Sequence, residues 1–354
     1  MRLLCFLALS LTAMLPGFAQ TAANAGPGLP KEPREVFAAA APFYDYSDPT
    51  LKPWHLKATY QLYDEKGDPG EQGTYEYWWA SPQVYRSTWT RQGTTHTNWH
   101  TADGKYAHQD MGVVPLEFFE YRLESALLSP LPKSSEMDMA KYNLDRESIG
   151  SKDAKFPCIM LVPQMPQRLQ IKTVPLGLFP TYCFNSQLPV LRASYSFGNT
   201  ATTYDNIAKF QNKYIAREIS FLDGKRKILS AKVESITSLD PSDPALTPPI
   251  TAPTSKLDKV KIAGGMMVGM VLEKPSPVYP QDAKDARVSG TVVMQAVIGR
   301  DGRIHDLRVL SAPWPSMAAS ALSAVSHWRY KPYLLNGAPV EVDTTINVVF
   351  SLGG

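Results

Sequence analysis

Residues 290–304 read Gly290-Thr291-Val292-Val293-Met294-Gln295-Ala296-Val297-Ile298-Gly299-Arg300-Asp301-Gly302-Arg303-Ile304. A β-branched run that ends at Asp-Gly predicts a strand and a tight hairpin turn, because these residues accept the positive φ such turns require. The return strand, Ile304 to Leu310, carries its apolar residues at Ile304, Leu307 and Val309. That spacing breaks strict alternation once, so a bulge is expected. Working outward, Pro315 opens a helix that runs through His327, with Met317, Ala321, Ala324 and Val325 on its inner side. Trp328-Arg329-Tyr330 follows, then Pro332 and the turn Asn336-Gly337. A final strand from Pro339 to Leu352 places Val340, Val342, Thr344, Ile346, Val348 and Phe350 on one face. On the other side, Pro277-Val278-Tyr279-Pro280 leads into a short helix, Gln281 to Ala286. Together these elements predict a small α+β domain over 263–354.

The ordered set Tyr279-Pro280, Gly290-Thr291-Val292, Asp301-Gly302, the Ala-rich stretch 318–324, Trp328-Arg329-Tyr330-Lys331-Pro332 and Asn336-Gly337 resembles the TonB C-terminal domain family. The resemblance covers about residues 266–354. It implies a helix-covered sheet of about three strands with an exposed edge, and a protein partner that adds a strand to that edge. Carried over by position, the docking strand is Val340, Val342, Thr344, Ile346, Val348 and Phe350. Tyr279, Pro280, Trp328, Arg329, Tyr330 and Pro332 then either lock the helix onto the sheet or touch the partner. The resemblance implies an outer-membrane or periplasmic protein as the partner. The same edge could pair with a second copy, giving a homodimer.

Upstream, Asp240 to Pro253 holds five prolines in fourteen residues, which predicts an extended tether and places a linker at 240–262. Before it, residues 34–239 read mostly as strands. Leu56, Ala58, Tyr60 and Leu62 alternate with polar residues, and Tyr75, Tyr77 and Trp79 continue the pattern. So do Leu191, Ala193, Tyr195 and Phe197, and Asp223-Gly224 marks a hairpin between Ile215–Phe221 and Leu229–Val233. Two helices interrupt the strands, one over Arg34 to Ala41 and one over Pro115 to Leu128. The expected fold is α+β: an antiparallel open β-barrel or half-barrel with covering helices, joined by the tether to the smaller domain. This layout resembles the LolA/LolB-like lipoprotein-carrier fold. The resemblance implies a cavity for an acyl chain or other apolar ligand, with Tyr60, Tyr75, Tyr77, Trp79, Tyr195 and Phe197 as candidate lining. The alternative is that these aromatics simply fill a core.

The first residues give an address. Arg2, the apolar run Leu3 to Leu15, the break at Pro16-Gly17 and the small residues around Ala19 predict a signal peptide over 1–19, followed by a flexible lead-in over 20–33. The expected localisation is periplasmic, or membrane-associated if the signal is retained. In that oxidising compartment Cys158 and Cys183 are expected to form a disulfide. The net charge of +3 and the lack of a basic stripe argue against nucleic acid.

No metal or cofactor is expected. If Asp103-Gly104 is a two-residue turn, His108 faces away from His96 and His100, and the three cannot converge on one ion. No nucleophile elbow, phosphate loop or His-Glu-x-x-His motif is present, so the expected role is an envelope adaptor that catalyses nothing. The alternative is a periplasmic carrier or sensor of a lipid, lipoprotein or other apolar ligand.

Overall fold

The structure is a computed structural model that describes residues 28–111, 117–132, 142–150, 155–163, 177–196, 200–256, 259–335 and 337–352. The signal segment, Phe197 and Asn336 lie outside the described residues.

In the first part of the chain, helix α1 (Pro33–Ala40) precedes strands β1 (Trp54–Tyr63), β2 (Pro69–Ser81), β3 (Val84–Arg91), β4 (Thr94–His100) and β5 (Tyr106–Met111). Helix α2 (Glu117–Leu128) then leads to β6 (Tyr142–Gly150), β7 (Lys155–Pro163), β8 (Thr181–Phe184) and β9 (Leu191–Ser196). The long strands β10 (Thr200–Phe210), β11 (Lys213–Asp223) and β12 (Arg226–Ser238) follow, and the short β13 (Thr254–Ser255) ends this part. The second part holds β14 (Lys259–Lys261), α3 (Gly264–Met267), β15 (Val271–Glu273), α4 (Gln281–Asp285), β16 (Gly290–Ile298) and β17 (Ile304–Ser311). It ends with α5 (Pro315–Val325), β18 (Arg329–Tyr330), β19 (Leu334–Leu335), β20 (Ala338–Pro339) and β21 (Glu341–Phe350).

The first part forms one open sheet in the order β13-β5-β4-β3-β2-β1-β12-β11-β10-β9-β8-β7-β6. Alternation decides its inner face: Leu56, Ala58 and Tyr60 are buried, while Lys57 between them is exposed. Helices α1 and α2 supply Val36, Phe37, Leu123 and Leu127 to the same core. The fold is therefore α+β, an antiparallel open half-barrel with covering helices and a smaller α+β module after it.

The smaller sheet has the order β14-β21-β16-β17, one strand more than expected. Helix α5 buries Met317, Ala318, Ala321, Leu322 and Val325 against it. The hairpin turn stands where the sequence places it, with Gly302 at φ 75°. The bulge expected in the return strand is present as two register shifts, at Val293/Met294 and Val297/Ile298.

The proline-rich segment is a correction: it is laid along the half-barrel, not extended as a free tether. Prolines lack the N–H a ladder needs, but their own carbonyls and those of their neighbours still accept. Trp99 Nε1 donates to the Ala245 carbonyl at 2.9 Å, and His108 N–H donates to that of Pro253 at 3.2 Å. Leu246 and Ala252 are buried, and β13 pairs with β5. The extra strand β14 also comes from this expected linker.

The two parts share buried surface. Met160, Val162, Leu178 and Phe179, from β7 and the approach to β8, join the core that holds Ile304, Leu307 and Val309. Each such apolar side chain, once buried, contributes roughly 1.5–3 kcal/mol. The contact therefore joins the module to the half-barrel directly, in addition to the covalent tether.

Candidate functional site

The terminal strand β21 is the element whose placement matters most. Its inner neighbour is β16, paired antiparallel from Gly290↔Phe350 to Ile298↔Val342. Val340, Val342, Thr344, Ile346, Val348 and Phe350 are all buried in the module core. The apolar face of the strand is the face α5 covers, so these side chains belong to the core and are not offered to a partner.

A partner strand would meet the backbone instead. On the outer side, β14 runs parallel to β21 from Lys259↔Glu341 to Lys261↔Asp343, and Ile262 N–H donates to the Asp343 carbonyl. Backbone groups alternate sides along a strand, so Glu341, Asp343, Thr345, Asn347 and Val349 point outward. Glu341 and Asp343 lie along β14. Gly264 lies so close to the Thr345 carbonyl that an added Cβ would sit 1.9 Å from it. Beyond that point no strand pairs with the outer side of β21 among the described residues, and the side chains of Asn347 and Val349 are exposed. Val349 is 70% exposed, and Met266 on α3 is also exposed.

The other candidate positions lock this module. Tyr279 donates its hydroxyl to the Val288 carbonyl and packs edge-on against Phe350 at 5.4 Å. Pro280 caps α4. Trp328 Nε1 donates to the Pro275 carbonyl at 3.0 Å, and Tyr330 N–H donates to that of Gly302 at 2.8 Å. Arg329 and Tyr330 form β18, which pairs with β15, while Pro332 is exposed at the end of this strap.

In the half-barrel the aromatic candidates divide. Tyr60 and Tyr75 are packed: Tyr75 lies 4.0 Å from the Trp89 ring, and its hydroxyl donates to Glu124 at 3.0 Å. Tyr77, Trp79 and Tyr195 line a cavity of about 380 Å³. Its far wall is not apolar, as expected, but charged: Arg122 comes from α2, and Lys259, His305, Asp306 and Arg308 come from the C-terminal module. Burial lowers the Arg122 pKa to about 10, against the attraction of Asp306. Cys158 and Cys183 sit opposite each other on β7 and β8 and are joined by a disulfide with a Cα separation of 3.9 Å.

The sequence reading missed two polar clusters. His305 is buried between Asp301 at 3.1 Å and Glu341 at 3.5 Å. Burial works to lower its pKa, but the bonds to Asp301 and then Glu341 prevail and raise it to about 9. Asp301 was visible only as a turn residue, and nothing local links it to Glu341 forty residues later. The second cluster reflects a register error. His108 pairs with Asn98, not Trp99, because the loop spans Thr101 to Lys105. His108 therefore shares a face with His96 and His100. There the His96 ring contacts Asp110 and Asn98, and His108 Nδ1 lies 2.6 Å from Asn98 Oδ1. Among the described residues no group of three His, Cys, Asp or Glu is placed to hold a metal ion.

Comparison with known proteins finds similarity within the module. Residues 275–352 match the family described as the Gram-negative bacterial TonB protein C-terminal. The chain is 31% identical over 112 residues to protein TonB of Klebsiella pneumoniae, covering 31% of this chain and 43% of that one. It is 29% identical over 86 residues to protein TonB of Vibrio cholerae serotype O1, covering 24% and 35%. The match thus spans less than half the length of these relatives. Among solved structures, a LolA superfamily protein from Nitrosomonas europaea aligns with 61% of this chain and 97% of its own, at 9% identity and a TM-score of 0.36.

Proposed function

We propose that this chain is an exported envelope adaptor whose TonB-like C-terminal module binds a protein by accepting a strand along the outer edge of β21. The observation that carries this reading is the outward backbone of Asn347 and Val349. It lies beyond the reach of β14, where the side chain of Val349 is exposed and helix α3, with the exposed Met266, packs against β21. An unpaired strand edge bordered by apolar side chains is what an incoming extended segment needs: backbone groups for affinity and adjoining side chains for selectivity. The match of residues 275–352 to the TonB protein C-terminal family supports an outer-membrane or periplasmic protein as the partner. The role is binding, with no reaction assigned. The half-barrel presents the module to that partner, and the buried contact through Met160 and Phe179 joins the two.

Photo-crosslinking tests this reading, with a probe placed at Asn347 or Val349 of the full chain in the native bacterial envelope. A crosslink to an outer-membrane or periplasmic protein, absent from a probe at the buried Val348, is the expected result. Crosslinks only to a second copy of the chain would replace the adaptor with a homodimer, and no crosslink at either site would sink the proposal.

A further inference from the structure

We propose that the cavity between the half-barrel and the C-terminal module binds a small organic anion with an aromatic or short apolar body. This rests on the lining of the cavity and not on the strand-docking reading above. Its volume of about 380 Å³ falls in the range of small-molecule sites. One wall is a rigid aromatic surface. Trp54 stacks on Tyr77 at 5.4 Å and on Trp79 at 6.1 Å, and Tyr46 meets Trp54 edge-on at 5.5 Å. Side chains held this way lose little freedom when a flat or apolar group settles on them.

The opposite wall is charged. Among the described residues Arg122, Arg308, Lys259 and His305 line it together with the carboxylates Glu124 and Asp306, while Glu341 attracts Lys259 and His305 from outside the cavity. Glu124 is engaged by the Tyr75 hydroxyl at 3.0 Å. Asp306 serves both guanidinium groups: it attracts Arg122, and its Oδ2 lies 3.6 Å from Arg308 Nε. That Nε is buried and makes no hydrogen bond. A buried guanidinium N–H without an acceptor is costly, and a charge-assisted bond to a ligand oxygen removes the cost. A neutral hydrocarbon would leave it in place. The wall therefore selects a carboxylate or phosphate group, while the aromatic surface takes the body attached to it. Because the aromatic wall belongs to the half-barrel and Arg308 and Lys259 to the module, the site is complete only when the two parts are docked.

The test is titration calorimetry of the full chain with three probes of one shape: 1-naphthoate, 1-naphthyl phosphate and the neutral 1-naphthalenemethanol. At least one anion is expected to bind about tenfold more tightly than the alcohol, a difference of about 1.4 kcal/mol. Arg308→Gln and Lys259→Gln should each reduce that preference. Lys259 is exposed, so its variant keeps the test informative if Arg308→Gln does not fold. Equal binding of all three probes, a preference that survives in Lys259→Gln, or no binding at about 1 mM would overturn the proposal.

Discussion

Ile262 donates its N–H to the carbonyl of Asp343 at 3.0 Å, and this bond sets the parity of the whole terminal strand. With Asp343 turned outward, Asn347 must also turn outward, and Val348 must bond to β16. Asn347→Pro removes one outward donor and leaves the inner ladder whole. The variant should lose its envelope crosslinks from a probe at Val349 while its urea midpoint stays close to that of the parent. Val348→Pro removes an inner ladder bond and should destabilise the module by about 3 kcal/mol or more. Crosslinking that survives in Asn347→Pro would show that the partner does not use this edge.

His305 makes the module sensitive to alkali. Its pKa in the folded chain, about 9, lies above the ordinary imidazole value near 6.5. The folded state therefore holds the proton more tightly than the unfolded chain. The resulting stability is complete below pH ~6.5 and is lost as pH rises through ~9, in total on the order of 3 kcal/mol. Urea unfolding of the parent and of His305→Gln, compared at pH 6 and pH 9.5, should show a large gap at the lower pH that narrows at the higher. A gap that does not change with pH would mean that the pair with Asp301 and Glu341 has no such role.

Gly302 and Gly104 are both turn glycines, at φ 75° and 74°, but only one is crowded. A Cβ on Gly302 would lie 1.9 Å from the Tyr330 carbonyl, whereas one on Gly104 would meet nothing within 4 Å. Gly104→Ala should therefore lose only the left-handed backbone penalty, roughly 1–2 kcal/mol. Gly302→Ala should lose clearly more, because the strap from Trp328 to Tyr330 must shift. Thermal midpoints of the two variants decide it, and equal losses would refute the role of the close approach.

The same comparison shows how far local sequence reaches. Asp301-Gly302, the helix at Pro315 and the face Val340–Phe350 were all readable, because period and turn chemistry act over a few residues. Which face met a partner was not readable: an apolar stripe marks the core whether or not the strand lies at an edge. The prolines of 240–253 signalled a tether, yet the acceptors Ala245 and Pro253 found donors on β4 and β5 that no local pattern could name. The charged wall of the cavity combines α2 with β17, almost two hundred residues apart, and only the fold brings Arg122 to Asp306.

The disulfide should stabilise the docked arrangement as well as the half-barrel. Cys158 and Cys183 join β7 to β8, and Met160 and Phe179 beside them enter the shared core. Closing a loop of this length is worth about 3 kcal/mol in the chain-entropy model. The Cys158→Ala/Cys183→Ala double variant should unfold at lower urea and should also exchange amide hydrogen faster along β17. Faster exchange in β7 and β8 alone would confine the effect to the half-barrel.

Arg300, in the turn between β16 and β17, is the polar half of the same docking. Its guanidinium donates to Asn98 Oδ1 at 3.1 Å and lies 3.2 Å from His108 Nδ1. That nitrogen is also 2.6 Å from Asn98 Oδ1, so it can donate to Asn98 or accept from Arg300 but cannot do both. Asn98 Oδ1 is the constant acceptor of the cluster, and the pair Arg300–Asn98 should carry most of the coupling. A double-mutant cycle with Arg300→Ala and Asn98→Ala is expected to give an interaction energy of roughly 1–2 kcal/mol in urea unfolding. Proteolysis should quicken in both single variants at the loop 101–105, which sits at the end of the strands they release. Additive losses, with no coupling, would leave the apolar contact through Met160 and Phe179 as the main hold between the two parts.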